Sequence, residues 1–182
     1  ILDLSNALIK NEYNINSSVS RKKLVKDLGI YFNYNFDQNK IPVITGFLGI
    51  GNSCFKTFDR GYSDATSSIV AATLRAKLSV WKESGGVFTG HPFKLKHTNQ
   101  VENISLNEAK ELTAFGNDVL HPSTSHFVEE NKIDVSIKDI KNIYNNGTVI
   151  HSNKNADLTS TVTAIAVKEN ISSILIKPKP LV

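Results

Sequence analysis

Residues 42–81 contain a strand pattern, a helix pattern and a second strand pattern in close succession, which limits the folds open to the chain. The first run, 42–47, is short and apolar, as is typical of buried parallel strands. An apolar helix is predicted over residues 64–76 and the next strand over 77–81. A strand, a helix and a strand joined by short links form a βαβ unit with parallel strands and a right-handed crossover. We therefore expect an α/β fold.

The rest of the chain adds elements with recognisable ends. Ser20 is predicted to cap the first helix. Ser105 and Glu108 form a capping box that opens a helix, and Gly116 ends that helix after about Phe115. Residues 151–160 are polar, lack periodicity and indicate a linker. The predicted elements outside 42–81 are helices at 20–32, 106–115 and 123–131 and strands at 133–137, 148–150, 161–167 and 172–177.

Composition excludes several classes of function. The net charge of +4 is small, and apart from Arg21-Lys22-Lys23 the basic residues are spread out, so no nucleic-acid partner is expected. No apolar run approaches the roughly 18 residues of a membrane span. The single cysteine, Cys54, suits a reducing compartment such as the cytoplasm. Five histidines without metal-ligand spacing predict no metal site.

Three polar residues meet at the predicted start of the helix 64–76. Arg60 can pair bidentately with a ligand carboxylate, and the free N–H groups of a first helical turn attract anions. Ser63 can donate or accept a hydrogen bond, and Asp64 can meet an ammonium group or orient a catalytic lysine. The alternative interpretation is structural, with Ser63 as an N-cap and Asp64 as a first-turn acid.

A glycine-rich loop, 84–92, follows the strand at 77–81, in the position where open α/β sheets bind ligands. Trp81, at the end of that strand, is expected to pack in the core. Phe88, in the loop, could pack in the core or face a ligand. His121 precedes Pro122 after a helix, and we expect it to be structural, because no acid–base step requires it.

These motifs occur in the same order in the aspartate kinases, and the chain resembles the fungal type of that family. Lys82-Glu83 is the pair that resembles the fungal members in particular. Several separate motifs in one order are a stronger signal than any one of them. The matching segments lie at residues 41–47, 60–64, 81–83, 86–89, 108–113, 115–122 and 146–150.

The resemblance implies a fold and a division into domains. Residues 1–150 would be the C-terminal part of an amino acid kinase fold, with a mostly parallel sheet sandwiched by helices. Residues 151–160 would be a linker, and 161–182 the first strands of an ACT-like regulatory domain, through which such enzymes form homo-oligomers. The family's N-terminal Lys-Phe-Gly-Gly-Thr-Ser motif is not in this sequence. The chain is therefore expected to be a piece of a kinase, inactive alone.

The resemblance also implies an activity. The family uses MgATP to phosphorylate the β-carboxylate of L-aspartate, the first step towards threonine, methionine and, in some organisms, lysine. By position, the aspartate-binding residues would be Arg60, Ser63 and Asp64, with Asp64 also catalytic. The ATP-binding residues would be Lys82, Glu83, Phe88 and Asp118.

Two departures from the family pattern keep other functions open. Gly85 and His91 stand where the family usually has acids in the nucleotide loop. Their loss is compatible with a catalytically inactive homologue that acts as a regulatory or binding subunit. A kinase of the same fold that acts on glutamate or acetylglutamate is a further alternative, although residues 60–64 argue against it.

Overall fold

The structure is a computed structural model that describes residues 4, 13–37, 39–46, 61–91, 94–117, 119–152, 162–167 and 172. Its helices are α1 (Ser18–Asn35), α2 (Tyr62–Leu74), α3 (Leu106–Ala114) and α4 (Pro122–Asn131). Its strands are β1 (Leu78–Lys82), β2 (Val87–Phe88), β3 (Gln100–Val101), β4 (Asn103–Ser105), β5 (Val135–Asp139) and β6 (Thr148–His151). None of the helices in these ranges is long and apolar enough to cross a membrane.

Four strands form one sheet in the order β1-β5-β6-β4. The β1–β5 and β4–β6 pairs are parallel and the β5–β6 pair is antiparallel, which confirms the predicted α/β fold with a mostly parallel sheet. The turn between β5 and β6 requires Gly147, whose φ is 72° and whose added Cβ would lie 1.9 Å from the Ile137 carbonyl oxygen. β2 and β3 form a separate antiparallel hairpin.

Two clusters of buried apolar side chains hold the layers together. One lies between the sheet and helices α2, α3 and α4, and includes Ala72, Val80, Ala109, Val128 and Ile137. The other joins the outer helix α1 to α2 and α4, through side chains that include Leu24, Leu28, Phe32, Ile69 and Phe127. The predicted spacing of the apolar face of α1 is therefore confirmed.

Several predicted element boundaries need correction. The α1 N-cap is Ser17, not Ser20, because Ser17 has the extended backbone and its side chain accepts a hydrogen bond from the Ser20 N–H. The α2 N-cap is Gly61 at φ 88°, so the interpretation of Ser63 as the cap is wrong. The Ser105–Glu108 capping box is confirmed, with both of its reciprocal hydrogen bonds present.

The predicted strand at 42–47 does not form in its described part, residues 42–46. Ile44 makes a single bridge, and Val43 is 63% exposed. Pro42 has no N–H to donate to a neighbouring strand, which weakens pairing at the start of this run. Phe47 lies outside the described residues.

Trp81 is 47% exposed, so the expectation that it packs in the core is wrong. Side chains on a strand alternate between faces, and in β1 the buried positions are Leu78 and Val80. Trp81 therefore points to the opposite face from these two residues.

Residues 162–167 form no strand, which corrects the prediction for the described part of 161–167. The Thr163 hydroxyl donates to Glu108 Oε1 at 2.6 Å, and the Ile165 N–H donates to the Thr89 carbonyl at 3.0 Å. Ala164 and Ala166 pack against the cluster that lies between the sheet and helices α2, α3 and α4. This segment therefore lies against the α/β unit.

An ion pair between Arg21 and Glu130 connects α1 to α4. Arg21, only 6% exposed, donates through Nε to Glu130 Oε2 at 3.1 Å and through a second nitrogen to Glu130 Oε1. Arg21 also donates to the Ile15 carbonyl. The pair is thus bidentate and supplies polar contacts inside an otherwise apolar helix interface.

We expect Arg21→Met to lower the free energy of unfolding by about 3 kcal/mol at neutral pH, because the partly buried Glu130 carboxylate loses its bidentate charged partner. Urea unfolding of the 182-residue chain, followed by circular dichroism, measures this change. Lys40→Met is the control, since Lys40 and Asp37 form an exposed pair at 3.2 Å. Its effect should stay below about 1 kcal/mol. Equal losses for both variants would contradict the prediction.

The same pair predicts how this stability depends on pH. The hydrogen bond from Arg21 lowers the pKa of Glu130 from its ordinary value of 4.5. A depressed folded pKa gives stability that is present above the unfolded pKa and is lost as pH falls through the folded pKa. The difference in the free energy of unfolding between wild type and Arg21→Met should therefore be constant down to about pH 5 and should shrink in more acidic solution. A difference that persists unchanged in acid would exclude this role for Glu130.

Candidate active site

A cavity of about 800 Å³ opens where β1 ends and where α2 and α4 begin. Ligands bind at the carboxyl ends of strands in open α/β sheets, and the volume is within the range of small-molecule sites. Four stretches of chain supply the lining residues, namely Gly61 and Asp64, Lys82 to Ser84, Gly86 to Phe88 with Gly90 and His91, and Gly116, Asn117, Val119 and His121.

An ion pair between Lys82 and Asp64 lies in the wall of this cavity. Lys82 Nζ is 3.5 Å from Asp64 Oδ2 and donates a hydrogen bond to the Val119 carbonyl at 3.3 Å. The Lys82 and Asp64 side chains are only 15% and 17% exposed. A partly buried ammonium needs such partners to offset its lost hydration. The Lys82 ammonium is thus held in place by groups from two other segments of the chain.

The local sequence explains why Lys82 and Asp64 meet. Lys82 is the last residue of β1, and Asp64 is the third residue of α2. The short connection between α2 and β1 brings the helix back along the sheet, so that its first turn lies near the end of the strand. A negative side chain is also favoured in a first helical turn, where the helix dipole is positive.

The N-termini of α2 and α4 meet at the cavity through Gly61 and His121. A Cβ added to Gly61 would lie 2.6 Å from the His121 ring, so only glycine permits this approach. His121 Nδ1 accepts a hydrogen bond from the Ser123 N–H at 3.3 Å and caps α4. His121 thus has the structural role expected from the sequence, while also lining the cavity. Two helix N-termini at one cavity favour an anionic ligand.

The hairpin of β2 and β3 supplies an aromatic side to the cavity. Phe88 is half-buried and lines the cavity beside Val87. The hairpin continues past Phe88, because the Thr89 N–H donates to the Asn99 carbonyl at 2.9 Å. A half-exposed ring on a fixed hairpin can stack against a planar ligand such as a nucleobase.

The structure brings Asp64, Lys82, Glu83 and Phe88 together on one cavity. Ser63 is exposed and is not among the lining residues. Arg60 and Asp118 lie outside the described residues.

Sequence reasoning missed two lining positions in the loop before α4. Val119 contributes its backbone carbonyl to Lys82, and a backbone contact leaves no sequence signal. Asn117 follows Gly116, whose φ of 97° turns the chain out of α3 towards the cavity. That glycine stop was recognisable, and it marks Asn117 as the first residue of a loop that could reach a ligand.

Curated relatives match most of this chain. The chain is 36% identical over 135 residues to the aspartokinase of Saccharomyces cerevisiae, covering 73% of this chain and 25% of that protein. It is 36% identical over 138 residues to the chloroplastic aspartokinase 1 of Arabidopsis thaliana, covering 74% of this chain and 24% of that protein. The chain spans about a quarter of the length of these relatives.

A solved structure gives the same result at the level of the fold. Clostridium acetobutylicum aspartate kinase superposes with a TM-score of 0.54 and 34% identity, covering 60% of this chain and 26% of that one. The family model described as "Amino acid kinase family" matches residues 17–139, which is more than half of the chain. That range includes the whole cavity wall described above. The chain therefore belongs to the amino acid kinase family.

Proposed function

We propose that the protein to which this chain belongs is an aspartate kinase, which transfers the γ-phosphoryl group of MgATP to the β-carboxylate of L-aspartate. The observation that carries this proposal is the Lys82 ammonium, fixed by Asp64 and Val119 at a cavity bounded by two helix N-termini. The similarity to aspartokinases from yeast and plants supports the same assignment. Aspartyl phosphate would begin the route to threonine and methionine, and to lysine in some organisms.

Phosphoryl transfer depends mainly on positioning and on charge stabilisation. In the proposed reaction, a β-carboxylate oxygen of aspartate attacks the γ-phosphorus of ATP, the bond from that phosphorus to the bridging oxygen breaks, and ADP leaves. Lys82 would face the phosphates, where a positive charge stabilises the transferring group. Asp64 would hold the Lys82 side chain in one position, so that little reorganisation is needed during the reaction.

The remaining ATP contacts follow from the cavity wall. Phe88 would pack against the adenine ring. Glu83 is exposed beside Lys82, so its carboxylate can accept hydrogen bonds from ribose hydroxyls. Asp118 remains an ATP-binding candidate from its place in the family pattern.

For aspartate, we propose Arg60, Ser63 and Asp64 as the binding group. Arg60 would pair with a substrate carboxylate, and the acidic Asp64 would attract the substrate ammonium group as well as Lys82. Ser63 is proposed on the family pattern alone, since its side chain is exposed outside the cavity lining.

The organisation of the longer protein is also a proposal. Residues 1–150 would complete a kinase domain, 151–160 would be a linker, and 161–182 would begin an ACT-like domain through which copies of the protein associate. A cytoplasmic location agrees with the single cysteine.

A catalytically inactive regulatory homologue is the second candidate function. His91 lines the cavity at a position where the family usually has an acid, and this observation motivates the alternative. Coupled ADP-release assays on the full-length protein separate the two candidates. Turnover that depends on aspartate supports the kinase, whereas ATP binding without turnover supports the regulatory subunit.

We expect Asp64→Asn in the full-length protein to lower kcat by roughly 100-fold or more, because Lys82 loses its charged partner and its fixed position. Lys82→Met should lower kcat by at least as much. Lys138→Met is the matched control, since Lys138 lies on the neighbouring strand opposite Trp81 and outside the cavity lining. Steady-state kinetics with a melting curve measure the effect. A folded Asp64→Asn protein with unchanged kcat would remove the ion pair from the mechanism.

Arg60→Ala should impair the use of aspartate far more than the use of ATP. Loss of a bidentate contact with a substrate carboxylate should lower kcat/KM for aspartate by roughly 30- to 1000-fold. Arg60→Lys should recover only part of this loss, because an ammonium lacks the planar fork of a guanidinium. The control is Arg75→Ala, at the exposed C-terminal end of α2. If aspartate dependence is unchanged in a folded Arg60→Ala protein, Arg60 does not bind the substrate.

A further inference from the structure

Thr148, the first residue of β6, is completely buried and lies at the base of the β2–β3 hairpin. Its hydroxyl accepts a hydrogen bond from the Val87 N–H at 2.8 Å and donates one to the Val101 carbonyl at 2.6 Å. Val87 belongs to β2 and Val101 to β3, and the two residues are opposite each other in the hairpin. One hydroxyl of the main sheet therefore joins both strands of the hairpin.

The chain around Thr148 is packed too closely for this contact to shift easily. A Cβ added to Gly86 would lie 2.8 Å from Thr148 Oγ1 and 2.6 Å from Gln100 Nε2. Gln100 Nε2 in turn donates to the Gly85 carbonyl at 2.8 Å. Hydrogen bonds with Thr148 and Gln100 therefore hold residues 85–87, the segment that leads into β2.

Phe88 follows Val87 directly and lines the cavity. A strand residue inherits its position and direction from the backbone of its neighbour, so a shift at Val87 moves the Phe88 ring. We propose that Thr148 is a positioning residue for nucleotide binding, which holds the hairpin so that Phe88 stays against the base of ATP. This inference rests on the proposed use of the cavity by ATP and concerns a residue that does not itself line the cavity.

The test compares two substitutions at Thr148 in the full-length protein. Thr148→Val has nearly the same shape but leaves the Val87 N–H and the Val101 carbonyl without this partner in a buried place, which is costly. Thr148→Ser keeps the hydroxyl. We expect Thr148→Val to weaken MgATP binding roughly tenfold and Thr148→Ser to stay within about twofold of wild type, as judged by titration calorimetry. The KM for aspartate should change by less than about twofold in both variants.

Thr124→Val provides a matched control. Thr124, on α4, is also completely buried, but its hydroxyl has no hydrogen-bond partner among the described residues. The same change of side chain should therefore leave MgATP affinity unaltered and should not lower stability. A loss of affinity in Thr124→Val equal to that in Thr148→Val would reduce the effect to general destabilisation and overturn the inference.

Amide hydrogen exchange gives a readout that does not depend on catalysis. Exchange at residues 87–89 and 99–101 should accelerate in Thr148→Val and not in Thr148→Ser or Thr124→Val. If wild type binds MgATP but does not phosphorylate aspartate, the proposed function fails and the role of Thr148 is still measured by affinity and exchange. Unchanged affinity for MgATP in Thr148→Val, or no binding of MgATP by wild type, would overturn the inference.

Discussion

The burial of α2 on two sides is the constraint on which the rest of the structure depends. Ala71 and Ala72 belong to the apolar cluster between the sheet and the helices. Ala65 and Ile69 belong to the second cluster, which joins α1 to α2 and α4. Small side chains let the helix approach both layers closely, and larger ones would force neighbouring side chains out of their preferred rotamers. Once α2 is fixed between two layers, its N-terminus can lie in only one place relative to the end of β1.

The charges at the cavity follow from that placement. Asp64 is in the first turn of α2, and Lys82 ends β1, so the fixed helix brings a carboxylate and an ammonium together. Because both side chains are largely removed from water, their attraction is stronger than that of an exposed pair. The partly buried Lys82 ammonium also donates to the Val119 carbonyl, which offsets part of its lost hydration. A positive charge in a fixed position is what a phosphate-binding site needs.

Much of this arrangement could be predicted from local sequence patterns. The spacing of Leu24, Leu28 and Phe32 indicated the buried face of α1, and the Ser105–Glu108 pair indicated the start of α3. These signals depend on neighbours along one element. Among the ligand candidates, the glycine-rich loop indicated that Phe88 could face a ligand, whereas Lys82 was a candidate only through the family resemblance. The family resemblance then supplied the roles that chemistry alone left open.

The errors concern properties that depend on distant parts of the chain. The exposure of Trp81 depends on which face of β1 the helices cover, and the apolar run from Ile41 to Ile44 could not reveal whether a neighbouring strand pairs with it. Ser63 illustrates the same limit, since the cap of α2 is decided by the φ of Gly61 and not by the best capping side chain nearby. The contact of Thr163 with Glu108 joins residues 55 positions apart, and no local pattern predicts it.

The structure also gives a physical reason for one of the departures from the family pattern. Gly85 has a φ of 72°, and a Cβ there would lie 3.1 Å from the carboxylate of Asp139. Asp139 is held in place because its Oδ1 accepts a hydrogen bond from the Lys141 N–H at 2.8 Å. An acid at position 85 would therefore combine backbone strain with repulsion between two carboxylates. Glycine is the residue that this backbone and this neighbour require, so its presence does not by itself indicate a lost activity. The same reasoning does not extend to His91, which leaves that residue as the departure that motivates the proposed inactive alternative.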